Sequence, residues 1–336
     1  MAPPQTGDEL ALRCSPFHAA TGTDPVGTAG CYDAFLVVEL PRPWDHDVST
    51  MWPFAELGAS GPCLVAGDGR TWRPMAIDPS GDPDGLVGVE VWERSSTTDG
   101  DDIVTGPYRH RSWRVAPDEL VALGGSLLAG EPLAGRSGPA VATASDSHVT
   151  PGANALLVCT HGGRDVCCGS LGTSLAKELE ASIPVRRCSH TGGHRFAPTA
   201  ITFPDGYGWA HLDAAAAHRV ADRSGPIDAV IGHCRGSSLF AAGPAQVADR
   251  AVFAAVGWAW ADATRRVVVP DGPLPAVPGD PAVEVVVTGR LADGSEVAHA
   301  VTVDVANLVP TPDCGVDAGD GTSTAPVWRV VDLRSV

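Results

Sequence analysis

Four side chains that could bind a metal stand in two short loops near the middle of this 336-residue chain. Cys159 and Cys168 lie in the first loop, and His190 and His194 lie in the second. Thiolate is a soft ligand that suits zinc and iron–sulfur clusters, whereas imidazole suits zinc, iron and copper. The two cysteines are too far apart in sequence for a structural zinc knuckle, whose cysteines usually stand about two to four residues apart. The spacing favours a loop that wraps around something larger than one ion, such as a [2Fe–2S] cluster.

A strand–helix–strand segment must position these two loops. Ala155–Val158 is typical of a short buried strand, and apolar residues recur every four positions from Leu171 to Ile183, which predicts a helix. Pro184 ends that helix, and Val185–Ser189 begins a second strand. Because the crossover is short, we expect parallel strands with a right-handed connection. This scaffold would hold both ligand loops.

The elements after this scaffold predict an α/β domain over residues 152–262. We expect a hairpin of Ala200–Phe203 and Tyr207–Ala210, then a helix over Ala214–Asp222 that Asp213 caps. A last, long helix is predicted over Pro244–Asp262. The order β-α-β-β-β-α is the outline of a thioredoxin-like domain.

Two further units flank this domain. Residues 1–145 predict an N-terminal α/β domain, with strand-like runs such as Phe35–Leu40 and Val87–Trp92. The stretch Gly135–Pro151 is rich in Gly, Ser, Ala and Thr and is typical of a linker. Residues 263–336 predict a β-rich C-terminal extension, with alternating strands on either side of a turn at Asp293–Ser295.

The composition excludes some classes of partner. The net charge of −17 argues against a nucleic-acid or anionic-membrane partner, because both require Lys and Arg surfaces. No secretory signal is visible, and the longest apolar run, Ala251–Ala261, is too short to span a bilayer. We therefore expect a cytoplasmic protein whose nine cysteines are mostly reduced, which favours metal ligands over disulfides.

Two blocks of the sequence resemble a known family. The first reads CTHGGRDVCCG from Cys159, and the second reads HTGGHRFA from His190. Together they resemble the sucrase/ferredoxin-like family, a branch of the thioredoxin-like [2Fe–2S] ferredoxins, and the likeness touches most of the first 260 residues. The resemblance implies one [2Fe–2S] cluster bound through two Cys and two His. Carried over to this chain, the implied iron ligands are Cys159, Cys168, His190 and His194.

Other cysteines near these blocks leave the ligand assignment open. Cys167 stands beside Cys168, and Cys188 stands two residues before His190, so either could replace a ligand. The alternative is that both are small buried hydrophobic residues. The remaining N-terminal cysteines have no ligand-like spacing and are expected to be structural: Cys14, Cys31 and Cys63.

Three polar residues of the first loop are candidate neighbours of the cluster. Arg164 could donate hydrogen bonds to sulfide or thiolate while Asp165 pins the loop, or the pair could serve loop structure alone. We expect His161 to lie beside the site rather than to bind the metal.

The mixed ligand set predicts the chemistry of the cluster. Two thiolates neutralise the formal charge of an oxidised [2Fe–2S] core, whereas four thiolates would give the site a net charge of about −2. Because an electron is added more easily to a neutral site than to a dianion, we expect a higher reduction potential than in an all-cysteine ferredoxin. A ligating imidazole keeps one titratable ring nitrogen, which would couple electron transfer to proton transfer where that nitrogen reaches solvent.

These features predict an electron carrier rather than a stand-alone enzyme. No flavin or nicotinamide site is evident, so an external electron donor or acceptor protein is implied. Two alternatives use the same residues. One is a zinc-stabilised structural or interaction domain, and the other is a thioredoxin-like thiol redox enzyme using Cys159, Cys167 or Cys168.

Overall fold

The computed structural model describes residues 13–81, 85–99, 102–131, 142–145, 155–314 and 323–336. Within these ranges fifteen strands belong to one mixed sheet, so the protein has the α/β architecture expected. The strands are β1 (Ala34–Glu39), β2 (Leu64–Val65), β3 (Thr71–Ile77), β4 (Val87–Asp99), β5 (Asp102–Val115), β6 (Ala142–Ser145), β7 (Ala155–Cys159), β8 (Val185–Cys188), β9 (Ala200–Phe203), β10 (Tyr207–Trp209), β11 (Cys234–Ser237), β12 (Thr264–Val268), β13 (Val283–Arg290), β14 (Glu296–Pro310) and β15 (Thr324–Ser335). The α-helices in these ranges are α1 (Cys14–Ala20), α2 (Leu120–Leu128), α3 (Thr173–Leu179), α4 (Ala214–Asp222) and α5 (Pro244–Val256).

The sheet can be described as three runs of strands. Its order is β11-β10-β9-β7-β8, then β3-β1-β4-β5, then β12-β13-β14-β15. Each junction between runs has a single registered residue pair, Ile77 with Cys188 and Thr105 with Arg265. The domain boundaries remain a prediction, because one sheet is continuous through all three units. The predicted linker Gly135–Pro151 lies outside the described residues, except for β6, which pairs with β5.

The segment that positions the ligand loops has the expected strand–helix–strand form. β7 and β8 are parallel, with Cys159 opposite Cys188. The helix begins as a wide turn over Cys168–Gly172, earlier than expected, and α3 then ends at Leu179. β9 pairs with the other side of β7 in the antiparallel sense. The end of β7 therefore lies in the interior of the sheet, which buries Cys159 completely.

The later helices follow the sequence expectation with one difference. Asp213 caps α4 as expected, because its side chain accepts a hydrogen bond from the backbone N–H of Ala216 at 2.8 Å. The helix expected over Pro244–Asp262 ends at Val256, since Gly257 has a φ of 82° that favours glycine and breaks the helix. None of the described helices is long and apolar enough to cross a membrane.

Buried side chains join the second and third units. Asp249 of α5 and Arg265 of β12 are both fully buried and form an ion pair, with 3.0 Å between Oδ1 and Nη1. The Tyr207 hydroxyl donates to Oδ2 of Asp249 at 2.9 Å, and the Trp260 indole donates to Oδ1 at 2.9 Å. One hydrophobic cluster continues from β7 and α3 to residues of β13 and β14.

Candidate metal centre

The end of β7, the wide turn and the loop after β8 bring Cys159, Cys168 and His190 together. Their candidate ligand atoms all lie within 4.8 Å of one another, and we call these three residues the primary group. Both cysteines are 0% exposed, whereas His190 is half-buried. The sequence predicted these three residues as co-ligands, and the fold places them side by side.

Two glycine contacts allow the wide turn to pack directly on the end of β7. A Cβ atom at Gly172 would lie 1.9 Å from the carbonyl oxygen of Cys159. A Cβ atom at Gly169 would lie 2.4 Å from the Cα of Gly162. Because only glycine leaves room for such backbone contacts, these two positions bring Cys168 beside Cys159.

Two arginines fix the loop that carries the histidines. Arg73 donates to the carbonyl oxygen of His190 at 2.6 Å, and Arg235 donates to the carbonyl oxygen of Gly192 at 2.9 Å. A Cβ atom at Gly193, whose φ is 69°, would lie 2.4 Å from the Arg235 guanidinium. Burial lowers the pKa of Arg235 to about 10, which still leaves a cation at neutral pH. The loop is therefore held by charge-assisted hydrogen bonds to its backbone.

The primary group is prepared to bind a cation. A hydrogen bond from Cys168, and a further one from His190, lower the pKa of the Cys159 thiol well below its usual value, although burial opposes this. The pKa of Cys168 is raised, first by its hydrogen bond to Cys159 and then by burial. Nδ1 of His190 is buried and has no hydrogen-bond partner among the described residues. A thiolate beside an unpartnered imidazole nitrogen fits a metal, whose ligands must be deprotonated.

His194, the fourth predicted ligand, lies next to the primary group but faces other partners. Its ring centroid is 6.0 Å from that of His190. Nδ1 lies 3.1 Å from Oδ2 of Asp165 and 3.4 Å from Sγ of Cys14, while Nε2 lies 3.5 Å from Oδ1 of Asp313. The hydrogen bond to Asp165 raises the pKa of His194. The structure thus brings three predicted ligands together and places the fourth beside them, against Asp165.

A second set of candidate ligands adjoins the first. We call Cys14, Asp165, Cys167 and Cys314 the secondary group, because their ligand atoms also lie within 4.8 Å of one another. The sequence does not predict this group, because Cys14 has no ligand-like spacing and Cys314 stands far from both ligand loops in the sequence. The two residues stand 300 positions apart, so no local spacing could have revealed their contact.

Three other residues highlighted by the sequence have different surroundings. Cys188 is fully buried and packs with apolar side chains of β1, β3 and β9, and it belongs to neither group. Nη1 of Arg164 lies 3.1 Å from Nδ1 of His46, and Nε2 of His161 lies 2.9 Å from the carbonyl oxygen of Asp45. The surroundings of Cys188 favour the alternative that it is a small buried hydrophobic residue. The contact of His161 with Asp45 favours a position beside the metal centre rather than a ligand role.

Two open clefts reach the ligand groups from solvent. One has a volume of about 330 Å³ and is lined by His190 together with His161, Arg73 and Arg164. The other has a volume of about 380 Å³ and is lined by Asp165, His194 and Cys314. The cysteines of the primary group are buried, so the histidine side is the one that faces a cleft.

Comparison with known proteins agrees with the resemblance in the ligand loops. A family model described as sucrase/ferredoxin-like matches residues 25–236, more than half of the chain. No curated protein and no solved structure matches the chain. The matched range contains the primary group and His194, and it leaves Cys14 and Cys314 outside.

Proposed function

The chain belongs to the sucrase/ferredoxin-like family, and from this premise we propose that it is an electron carrier. It binds one [2Fe–2S] cluster through Cys159, Cys168, His190 and His194. The observation that carries this proposal is the primary group, in which two cysteines and one histidine converge within 4.8 Å. A [2Fe–2S] cluster needs two protein ligands for each iron, and when bound it accepts and returns one electron.

The residues around the primary group support this ligand set. The low pKa of Cys159 supplies a thiolate, and the unpartnered Nδ1 of His190 supplies a free imidazole nitrogen. The ring of His194 is adjacent, and Asp165 holds its Nδ1 at 3.1 Å. Carboxylates commonly orient metal-binding histidines through such a contact. The coupling of electron to proton transfer stays a prediction.

The strand order around the site supports a thioredoxin-like cluster domain. β8, β7, β9 and β10 are consecutive neighbours in the sheet. The first pair is parallel, and the next two pairs are antiparallel. In this arrangement the two predicted ligand loops follow the carboxyl ends of the parallel strands β7 and β8, as the proposal requires.

An external donor or acceptor protein exchanges electrons with the cluster through the cleft lined by His190. His190 is half-buried and borders open space, whereas Cys159 and Cys168 are completely enclosed. Arg73 and Arg164 line the same cleft and supply positive charge beside the histidine. We place the protein in the cytoplasm, because a reducing compartment suits nine free thiols.

The test is anaerobic purification after iron-replete expression, with iron and sulfide analysis and EPR of the reduced protein. We expect about two iron and two sulfide atoms per chain. Cys159→Ser and Cys168→Ser should each abolish the EPR signal. Cys31→Ser is the matched control, because Cys31 is exposed and belongs to neither group, and it should retain both iron and signal.

Two results would overturn the proposal. A colourless protein that carries stoichiometric zinc at the primary group would show the zinc-stabilised alternative. A metal-free protein that catalyses thiol–disulfide exchange and loses this activity on alkylation would show the thiol enzyme.

A further inference from the structure

The secondary group gathers three thiols from distant parts of the chain. Sγ of Cys14 lies 3.3 Å from Sγ of Cys314 and 3.9 Å from Sγ of Cys167, and the last two sulfurs are 3.3 Å apart. Cys14 begins α1, Cys167 precedes the wide turn, and Cys314 follows β14. Oδ2 of Asp165 completes the group at 3.7 Å from the Cys14 sulfur.

These separations are close to those in a site for one tetrahedral ion, although two of the three are shorter. With Zn–S bonds of about 2.3 Å, the sulfurs of a tetrahedral zinc site are about 3.8 Å apart. A disulfide could join only two of the three thiols and would leave the third unpaired.

The group is buried and contains four potential ligands for a soft cation. Cys14, Cys167 and Asp165 are 1%, 0% and 8% exposed. Three sulfur atoms and a carboxyl group, brought together away from solvent, form a donor set that suits zinc. The cleft lined by Asp165 and Cys314 gives an ion a path from solvent.

We propose that Cys14, Cys167 and Cys314, with Asp165 as the fourth ligand, form a structural zinc site separate from the iron site. The zinc would fasten α1 and the end of β14 to the loop that carries Cys168. Asp165 connects the two sites, because its Oδ1 accepts from the backbone N–H of Cys168 at 3.2 Å. Cys167 is thereby assigned to zinc and does not compete as an iron ligand.

The test removes the iron site first, so that zinc bound there cannot be mistaken for zinc at the secondary group. In the Cys159→Ser/Cys168→Ser protein, we expect about one zinc per chain and thiolate charge-transfer bands on Co²⁺ titration. Adding Cys14→Ser and Cys314→Ser should abolish these bands and weaken zinc binding at least 100-fold. Adding Cys31→Ser and Cys63→Ser instead should change neither, because both residues lie outside the two groups.

The complementary experiment uses the cluster-loaded protein. Cys14→Ser/Cys314→Ser should lose zinc and keep iron, sulfide and the EPR signal, so failure of the zinc site is distinguishable from failure of the iron site. Zinc retained by the variant in which Cys14, Cys159, Cys168 and Cys314 are all replaced by serine would overturn the proposal.

Alkylation provides a readout that does not depend on the folding of these variants. In the wild-type protein, Zn²⁺ should protect Cys14, Cys167 and Cys314 from alkylation, while the exposed Cys31 reacts at an unchanged rate. Equal reaction of Cys14 and Cys314 with and without Zn²⁺ would overturn the proposal, as would a Cys14–Cys314 disulfide whose reduction restores no zinc binding.

Discussion

The contact between Gly172 and the carbonyl oxygen of Cys159 makes Gly172→Ala a direct test of how the two cysteines are held together. The added Cβ would lie 1.9 Å from that oxygen, and real Cβ atoms essentially never approach an atom within 3.0 Å. The wide turn must therefore move away from β7 by about 1.1 Å, whereas ligand distances in metal sites hold to within about 0.2 Å. We expect the variant to lose most of its metal.

The effect on stability follows from the same contact. Overpacking costs about 1–3 kcal/mol, and the upper part of that range applies because the obstructing atom belongs to the backbone. Alanine offsets about 0.5–1 kcal/mol of this cost, because glycine is unfavourable in helical backbone. A net loss of about 2 kcal/mol lowers Tm by roughly 3 °C in a protein of this size.

The assay is metal content per chain together with thermal unfolding under anaerobic conditions. Gly125→Ala in α2 is the matched control, because a Cβ there would meet no atom within 4 Å. It should leave the metal content unchanged and keep or slightly raise Tm. The reasoning is refuted if Gly172→Ala retains wild-type metal content and a Tm within about 1 °C of wild type.

Two further predictions concern stability away from the ligands. Asp249→Asn should destabilise the fold by about 3–5 kcal/mol, because it leaves the fully buried Arg265 without its counter-ion. Glu296→Gln, in an exposed ion pair, should cost less than about 1 kcal/mol, and chemical denaturation of both variants checks the contrast. His18 is 0% exposed, and burial lowers its pKa from 6.5 to about 4. Because the folded protein binds this proton less readily than the unfolded chain, neutral His18 stabilises the fold at pH values above 6.5. This contribution to stability is lost as the pH falls towards 4. The wild type should therefore lose about 2 kcal/mol more than His18→Gln between about pH 7 and pH 5, and parallel stability curves for the two proteins would contradict this.

Local patterns in the sequence were sufficient to predict the scaffold of the primary group. The four-residue recurrence from Leu171, the stop at Pro184 and the cap at Asp213 all report on contacts between near neighbours. Such contacts are encoded within a few residues, and the structure has the helix, the following strand and the capped helix in the predicted order, although the first helix ends at Leu179, before the predicted stop at Pro184.

Features that depend on distant partners were beyond local patterns. β4 runs from Val87 to Asp99 instead of ending at Trp92, because polar residues such as Glu93, which pairs with Arg111 of β5, hide the apolar alternation. The position of His194 against Asp165 depends on the fold of the first loop. The secondary group depends on Cys14 and Cys314, which meet only after all three units have come together.

The two single-pair junctions in the sheet have a consequence for how the molecule opens. Few backbone hydrogen bonds cross from β8 to β3 or from β12 to β5. The backbone amides of one run of strands can therefore exchange with solvent independently of those in the next run. Cooperativity between the runs depends instead on buried side chains, such as the hydrophobic cluster that joins Met75 of β3 to Leu157 of β7 and the ion pair of Asp249 with Arg265. Cys188 and Thr105 therefore mark the places where the chain can separate into independently exchanging units when those side chains are replaced.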